Sequence, residues 1–313
     1  MPLTGEDAPA ESGSARRTAY RIGQTLFPAR PIDPALYLVA TPIGNLSDIS
    51  LRALETLAAA DVLACEDTRV TRVLLERYGI ARRPFAYHEH NAEDAGARLL
   101  EVLERGESVA LVSDAGTPLV SDPGYRLVES ALKAGHRVIP IPGPSAPLAA
   151  LAASGLPTDS FFFAGFLPQK QKARLERLEQ LGRIPGTLVF FESPHRLAQS
   201  LEDCASAYGG ERLAAVCREL TKAFEETRRG TLAELAAFYG GAASIKGEIV
   251  LLIGPPPEEM ETSQAETEVL LQSLLEDHSP AKAATEAARL TGRPRKELYQ
   301  QLLALKSGGD RKP

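Results

Sequence analysis

The sequence predicts an α/β protein made of two α/β domains and closed by a small helical module. At roughly 150 residues per domain, its 313 residues make about two domains. From Leu36 onward, short β-rich runs alternate with helical stretches, the pattern of a largely parallel sheet covered by helices. Towards the end the charge changes sign. Residues 258–277 carry seven acids and no Lys or Arg, whereas residues 278–313 carry eight Lys or Arg against three acids.

Residues 1–34 are rich in Ala, Pro, Gly, Ser and Arg without a sustained apolar period, which predicts a disordered tail. Four acids offset Arg16, Arg17, Arg21 and Arg30, so an RNA-touching arm is disfavoured there. Residues 35–154 form the first domain. LYLVAT, DVLACE, PFAYHE, SVALVSD and RVIPIPG read as strands, with helices near 49–60, 70–78, 94–105, 123–135 and 145–154. Leu99, Leu100 and Leu103 share one helix face, as burial against a sheet requires.

Residues 155–255 form the second domain. FFFAGFL, TLVFFES, LAAVCREL, EETRRGTL and GEIVLLIG read as strands, with helices near 170–181, 194–207 and 231–239. The short link between LAAVCREL and EETRRGTL predicts an antiparallel pair, hence a mixed sheet. Pro255-Pro256-Pro257 stops the last strand. An acidic linker helix over 256–278 and a basic helix-turn-helix module over 279–313 follow. Ser279-Pro280 opens a helix, Gly292 can end it in the left-handed conformation, and Pro294 can open the next.

Composition narrows the function. Hydrophobic residues at 44% and charged residues at 24% exclude a wholly disordered or collagen-like chain. A formal charge of −6 confines any nucleic-acid contact to local patches. Cys65, Cys204 and Cys217 are odd in number and widely spaced, as for reduced thiols of a cytoplasmic protein. The charge-free stretch Val138–Thr158 is long enough to span a bilayer, but five prolines interrupt it, so no membrane span is expected. With Glu6, Asp7 and Glu11 and no apolar core, the first residues are not expected to be a secretory signal.

Three small-residue motifs follow strands of the first domain. VATPIGNLSDIS is a strand running into a Pro–Gly–Asn turn and a helix. Neither GxGxxG nor GxxxxGK[ST] is present, so spacing alone makes this an ordinary βα turn. In LVSDAGTPLVSDPG, Ser121 or Asp122 reads as a helix cap before Pro123. Asp114 at the strand end is the candidate functional acid, able to accept from a ribose or an amine. In IPIPGPSAPLAAL, Ser145 reads first as an N-cap, with small neighbours that leave room for a flat ligand.

Together VATPIGNLSD, CEDTR, SDAGTPLVSDPG, PGPSA, FFFAGFLP, FFESPHR, CRELTK and KGEIVLLIG resemble, in this order, the tetrapyrrole-methylase superfamily, the class III S-adenosylmethionine-dependent methyltransferases. Within it the chain is similar to the ribosomal RNA small subunit methyltransferase I family. The resemblance covers about residues 35–255, and SPAKAATEAARLTGRPRKELYQ looks like that family's helix-turn-helix extension. It implies two α/β domains of tetrapyrrole-methylase type and a homodimer, with S-adenosylmethionine in the cleft between the domains. The implied reaction is methyl transfer to the ribose 2′-oxygen of a cytidine in the decoding region of 16S rRNA, within the small ribosomal subunit. Implied cofactor contacts are Pro42, Gly44, Asn45, Asp114, Gly116, Thr117, Ser145 and Ala146, with Phe166, Leu167, Glu248 and Val250 as secondary candidates.

A 2′-hydroxyl is poorly acidic, so the transfer benefits from a general base. Glu66, Asp67, His90 and Lys170 are candidates, and the residues alone do not separate them. Lys170, Lys172, Arg174, Arg177 and Arg183 read as a phosphate-contacting strip. Arg196 reads as an RNA contact or an ion-pair partner. Arg289, Arg293, Arg295 and Lys296 would meet phosphate near the module's turn. His88 and His90 at i, i+2 lack a third ligand, so no metal is expected. The rival readings are a tetrapyrrole methyltransferase and a nonenzymatic ribosome-binding factor.

Overall fold

The computed structural model describes residues 18–121, 124–242, 244–257, 264–291 and 294–309. The first described element corrects part of the expected tail. β1 (Ala19–Ile22) and β2 (Thr25–Pro28) pair antiparallel, with Ile22 opposite Thr25. Gly23, at φ 59, supplies the left-handed residue that such a tight turn needs. Tyr20 stacks on Phe27 with ring centroids 5.6 Å apart, and Tyr20 is buried against Leu54, Leu57, Leu74, Leu75 and Tyr78. One buried aromatic and one turn glycine outweigh the polar composition of the surrounding stretch. Residues 1–17 of the expected tail lie outside the described residues.

The first sheet contains β3 (Leu36–Val39), β4 (Val62–Cys65), β5 (Phe85–Ala86), β6 (Val109–Val112) and β7 (Val138–Ile141), in the order β5-β4-β6-β3-β7. All its pairings are parallel. Such a sheet is buried on both faces, which explains apolar runs such as VALV. Tyr37, Val39, Leu63, Cys65, Ala110 and Val112 face α1 (Leu51–Ala59) and α2 (Thr68–Arg77). The alternate residues Leu36, Ala64, Val109 and Leu111 face α3 (Ala92–Glu104) and α4 (Tyr125–Lys133).

α5 (Ala146–Ser154) ends at Gly155, left-handed at φ 75. The sequence reading puts this helix in the first domain. Its Ala150 and Leu151 instead pack on Val189, Ala215, Cys217, Val250 and Leu252 of the second sheet.

That sheet comprises β8 (Phe161–Phe166), β9 (Thr187–Glu192), β10 (Leu213–Arg218), β11 (Glu226–Thr231) and β12 (Ile249–Ile253), in the order β11-β10-β12-β9-β8. Only β8 and β9 run parallel; the other pairs are antiparallel, giving the expected mixed sheet. α6 (Gln171–Leu181), α7 (Leu197–Tyr208) and α8 (Leu232–Gly240) complete this part. Both sheets belong to one compact unit.

The second unit has its own core. α9 (Gln264–Asp277), α10 (Pro280–Thr291) and α11 (Arg295–Gly309) bury Leu271, Ala283, Ala284, Ala287, Leu298 and Leu302 together. The acidic stretch is therefore not merely a linker: Leu271, fully buried, makes α9 the first helix of a three-helix module. Gly292 and Arg293, expected at the turn, lie outside the described residues.

Arg174 is another correction. Its guanidinium is 3% exposed, 2.6 Å from Asp203, and also donates to the carbonyls of Pro168 and Gln169. Gln171 donates to the other Asp203 oxygen. Arg174 ties α6 to α7 and is too deep to reach a phosphate, because its guanidinium is buried and engaged by Asp203 and two carbonyls. Removing one member of such a pair leaves a buried charge uncompensated, so Asp203→Ala is expected to lower the unfolding free energy by about 3–5 kcal/mol. Urea denaturation followed by circular dichroism measures this; a loss below about 1 kcal/mol, the level of an exposed pair, contradicts it.

Candidate functional site

The three small-residue motifs meet at the carboxyl end of the first sheet, the edge where open parallel sheets bind ligands. Thr41 and Gly116 exchange both backbone hydrogen bonds at 2.9 Å, joining the VATPIG turn to SDAGTP. The Thr41 hydroxyl donates to the Ser113 carbonyl, and the Ser113 hydroxyl donates to the Gly116 carbonyl. Thr117 donates to the Pro144 carbonyl at 3.3 Å, which brings in PGPSA. Gly143 comes so close to β3 that a Cβ there would stand 3.0 Å from Ala40 Cβ.

Across from these loops, the CRELTK connection of the second sheet closes on the first turn. The Asn45 amide donates to Thr221 Oγ1 at 3.1 Å. A Cβ on Gly44 would lie 2.5 Å from Lys222 Cγ and 2.8 Å from Thr221 Oγ1. The Lys222 ammonium sits 2.9 Å from Glu219 and 3.2 Å from Glu248. Glu219 Oε1 also accepts from the Glu248 amide at 3.0 Å. The Lys222 hydrogen bond and that amide hold the Glu219 carboxyl below its usual range. Burial opposes the Lys222 charge, but its two carboxylate partners outweigh burial and raise its pKa.

Between these walls lies a cavity of about 420 Å³, within the range of small-ligand sites. Its floor is apolar: Ile43, Val120, Pro147, Phe166, Phe191, Leu220, Ile249 and Val250 line it. Phe166 and Phe191 contact each other at 5.4 Å between centroids. Polar groups are few, chiefly Thr117, Ser121, Ser145, Ser193, Glu192 and Glu248. Cys217 also lines it, and burial pushes its thiol up, so it remains a neutral wall group.

Backbone strain gathers around this cavity. Leu119, Ser121, Glu219 and Thr221 are the non-glycine residues at positive φ among the described residues, at 73°, 64°, 51° and 66°. Two belong to each wall. Such conformations persist only where the surrounding structure over-determines them.

Of the residues expected at a cofactor, Gly116, Thr117, Ser145, Ala146, Phe166, Glu248 and Val250 line the cavity. Pro42 and Leu167 are buried, and Gly44 and Asn45 serve the closure onto CRELTK rather than the lining. Ser145 is the N-cap residue of α5, as the sequence reads, but its hydroxyl makes no cap bond, and the residue lines the cavity. Asp122 and Pro123 lie outside the described residues.

Asp114 sits one residue before the lining. Its Oδ1 accepts from the Asp67 amide at 2.9 Å, which binds the SDAG and CEDTR motifs together. Asp67 caps α2 and is chelated by Arg69, whose hydrogen bonds lower its carboxyl to about 2. Glu66 is exposed and stands outside the cavity lining, yet partial desolvation first, and then the Asp114 charge, raises its carboxyl. His90 and Lys170 are exposed.

Residues of FFESPHR reach the cavity without having been expected there. Glu192 is buried, accepts from the Ser193 amide and Ser200 hydroxyl, and pairs with Arg196 at 2.7 Å. Arg196 also donates to the Leu167 carbonyl and Ser193 hydroxyl. Each of its three guanidinium nitrogens thus has a partner in the site wall, which makes it the ion-pair partner of the two readings. A charged residue at the end of an apolar strand was the available signal. Lys172 is exposed, and Arg295 donates to Thr285 between α10 and α11. Among the described residues no group of His, Cys, Asp and Glu is arranged to hold a metal, and no helix is long and apolar enough to cross a membrane.

Residues 35–236, which carry both sheets' strands up to β11 and most of the loops of this cavity, match the model for tetrapyrrole (corrin/porphyrin) methylases, which gives the class. Residues 261–306 match the RsmI C-terminal HTH domain. The chain is 64% identical over 285 residues to a ribosomal RNA small subunit methyltransferase I of Mesorhizobium japonicum, covering 91% of this chain and 97% of that one. It is 46% identical to the protein of that name from Halalkalibacterium halodurans, covering 88% and 97%. Among solved structures, uroporphyrin-III C-methyltransferase from Thermus thermophilus, complexed with S-adenosylhomocysteine, has a TM-score of 0.51 at 20% identity. That match covers 70% of this chain and 97% of that one. The chain belongs to the ribosomal RNA small subunit methyltransferase I family of the tetrapyrrole methylases.

Gly247 offers a test of how tightly the cavity wall is closed. It has φ 93, and a Cβ there would run into the Glu219 carboxyl. Gly247→Ala is expected to cost about 1–3 kcal/mol. Gly240→Ala, at a helix end with open space and ordinary φ, is expected to change stability by no more than about 1 kcal/mol. Paired urea titrations compare them; equal effects would contradict the close fit.

Proposed function

We propose that the protein uses S-adenosylmethionine to methylate the ribose 2′-oxygen of a cytidine in 16S rRNA of the small ribosomal subunit, acting as a cytoplasmic homodimer. The observation that carries this reading is the 64% identity to a ribosomal RNA small subunit methyltransferase I across 97% of that relative. The cavity fits the cofactor in size and chemistry. Its floor is apolar and aromatic, its polar groups few, and its glycines allow close approach, Gly116 standing at φ 82. Gly116, Thr117, Ser145, Ala146, Phe166, Glu248 and Val250 would hold it. When bound, it supplies a methyl group on a positively charged sulfur.

The chain's own part is to position the ribose and accept its proton. Glu66 is the base this reading favours. An effective base titrates near the working pH, and Glu66 is raised towards it, whereas Asp67 at about 2 is too weak. Asp114, fixed by the Asp67 amide, borders the cavity and keeps Glu66's charge unfavourable. In the helical module Lys296 is exposed and is read as a phosphate contact, together with exposed Lys170 and Lys172 beside the second sheet.

Incubation with small subunits and methyl-labelled S-adenosylmethionine, followed by mass spectrometry of the nucleosides, is expected to yield 2′-O-methylcytidine. Label in another nucleoside, or only in an added tetrapyrrole, refutes the substrate reading. A base must be deprotonated, so the rate should rise with pH through a Glu66 pKa above the usual glutamate value. Glu66→Gln is expected to remove that limb and lower kcat by about 10²–10⁴-fold; an unchanged pH profile excludes Glu66. Light scattering of the full chain is expected to give twice the 33.6 kDa chain mass; a monomer mass at micromolar concentration refutes the dimer.

A further inference from the structure

The chain as a whole is acidic, with a formal charge of −6, so a face lined with unpaired arginines departs from its average surface. Such a face lies on α2. Thr71, Leu74 and Leu75 turn inward, and the rest of TRVTRVLLER faces outward. The outward positions hold Arg69, Arg72 and Arg77 with Glu76 as the sole acid. Arg69 is held by Asp67. Arg72 and Arg77 are exposed and make no ion pair among the described residues. The hairpin adds one more. The Arg21 amide donates to the Tyr78 carbonyl at 2.7 Å, and a Cβ on Gly79 would stand 3.5 Å from Arg21 Cβ, so Arg21 lies over the carboxyl end of α2. Its side chain is exposed and likewise unpaired among the described residues.

We propose that Arg21, Arg72 and Arg77 form a phosphate-contacting face that docks the substrate RNA strand along α2. This rests on the rRNA reading above. Two further features favour RNA. The cations are all arginine, whose planar fork matches phosphate oxygens. The opposite end of α2 begins at Asp67, whose amide is bonded to Asp114, next to Glu66. A strand lying along the helix from the hairpin therefore arrives at the acidic edge of the cavity. The exposed Val70 and Val73, 45% and 56% accessible, are uncharged, so Glu76 is the one acid among these outward positions of the helix. Phosphate contacts of this kind set register and carry no base preference.

The test is the full-length triple variant Arg21→Glu, Arg72→Glu, Arg77→Glu. A control with the same change in net charge, Arg98→Glu, Arg126→Glu, Lys133→Glu, alters exposed cations on α3 and α4 over the other face of the first sheet. Affinity for purified small subunits is measured at several salt concentrations, with turnover and S-adenosylmethionine affinity in parallel. The triple variant is expected to bind subunits on the order of tenfold more weakly, with a log–log salt slope shallower by about 2, as for three lost phosphate contacts. Its KM for subunits should rise while cofactor affinity stays at the wild-type value and the control stays near wild type. Wild-type affinity and slope in the triple variant overturn the proposal, as does an equal loss in the control. Unchanged subunit binding with a loss of affinity for anionic lipid vesicles assigns the face to a membrane and overturns it too. A wild-type protein that methylates no rRNA refutes the functional reading itself, whereas normal wild-type turnover with an unaffected triple variant refutes only this surface.

Discussion

The close approach of Gly44 to Lys222 is the constraint on which the cavity depends. No side chain fits at residue 44, so the turn after β3 presses directly on the link between β10 and β11. That link pays for the approach with two non-glycine residues at positive φ, Glu219 and Thr221. In return Lys222 spans Glu219 and Glu248, fixing the start of β12. Three segments distant in sequence are held at one edge of one cavity. If the turn moved outward, Asn45 would lose its hydrogen bond to Thr221, and the ammonium of Lys222 would lose the packing of its stem.

Charge in this protein is sorted by depth. Arg174 with Asp203, and Arg196 with Glu192, are largely withdrawn from water and satisfied by further hydrogen bonds. Such pairs give little net stability but forbid alternatives, because separating them leaves a charge without solvent or partner. Glu66 and Asp67 show the opposite principle. Neighbours in sequence, they shift in opposite directions, since Asp67 has a guanidinium and backbone amides while Glu66, though exposed, is partly desolvated and faces a nearby carboxylate. Paired environments that push like groups apart divide the roles of acid and base.

What the sequence determined by itself is the secondary structure of the α/β region and the loops that matter. Apolar runs such as VALV and IVLLI have one consistent reading, as strands buried on both faces, and the short link after CREL forces an antiparallel neighbour. Glycine and proline after strands mark where backbone must come close, and the three motifs of the first sheet lie together as their residue types require. Local sequence carries this information because alternation, turn chemistry and small side chains act over a few residues.

Only the tertiary structure decided the rest. Composition averaged over 34 residues concealed a hairpin whose single buried tyrosine docks on α1 and α2. An acidic stretch hid the apolar Leu271 that makes α9 part of a three-helix core. Arg174 looks like a surface cation in sequence, and Arg196 reads equally as an RNA contact or an ion-pair partner; acids 29 residues downstream and four residues upstream pair with them. The cavity lining from FFESPHR and the assignment of α5 to the second sheet likewise depend on which sheet edges face each other. Long-range packing decides burial, and burial decides whether a charge is a contact for a partner or a tie within the fold.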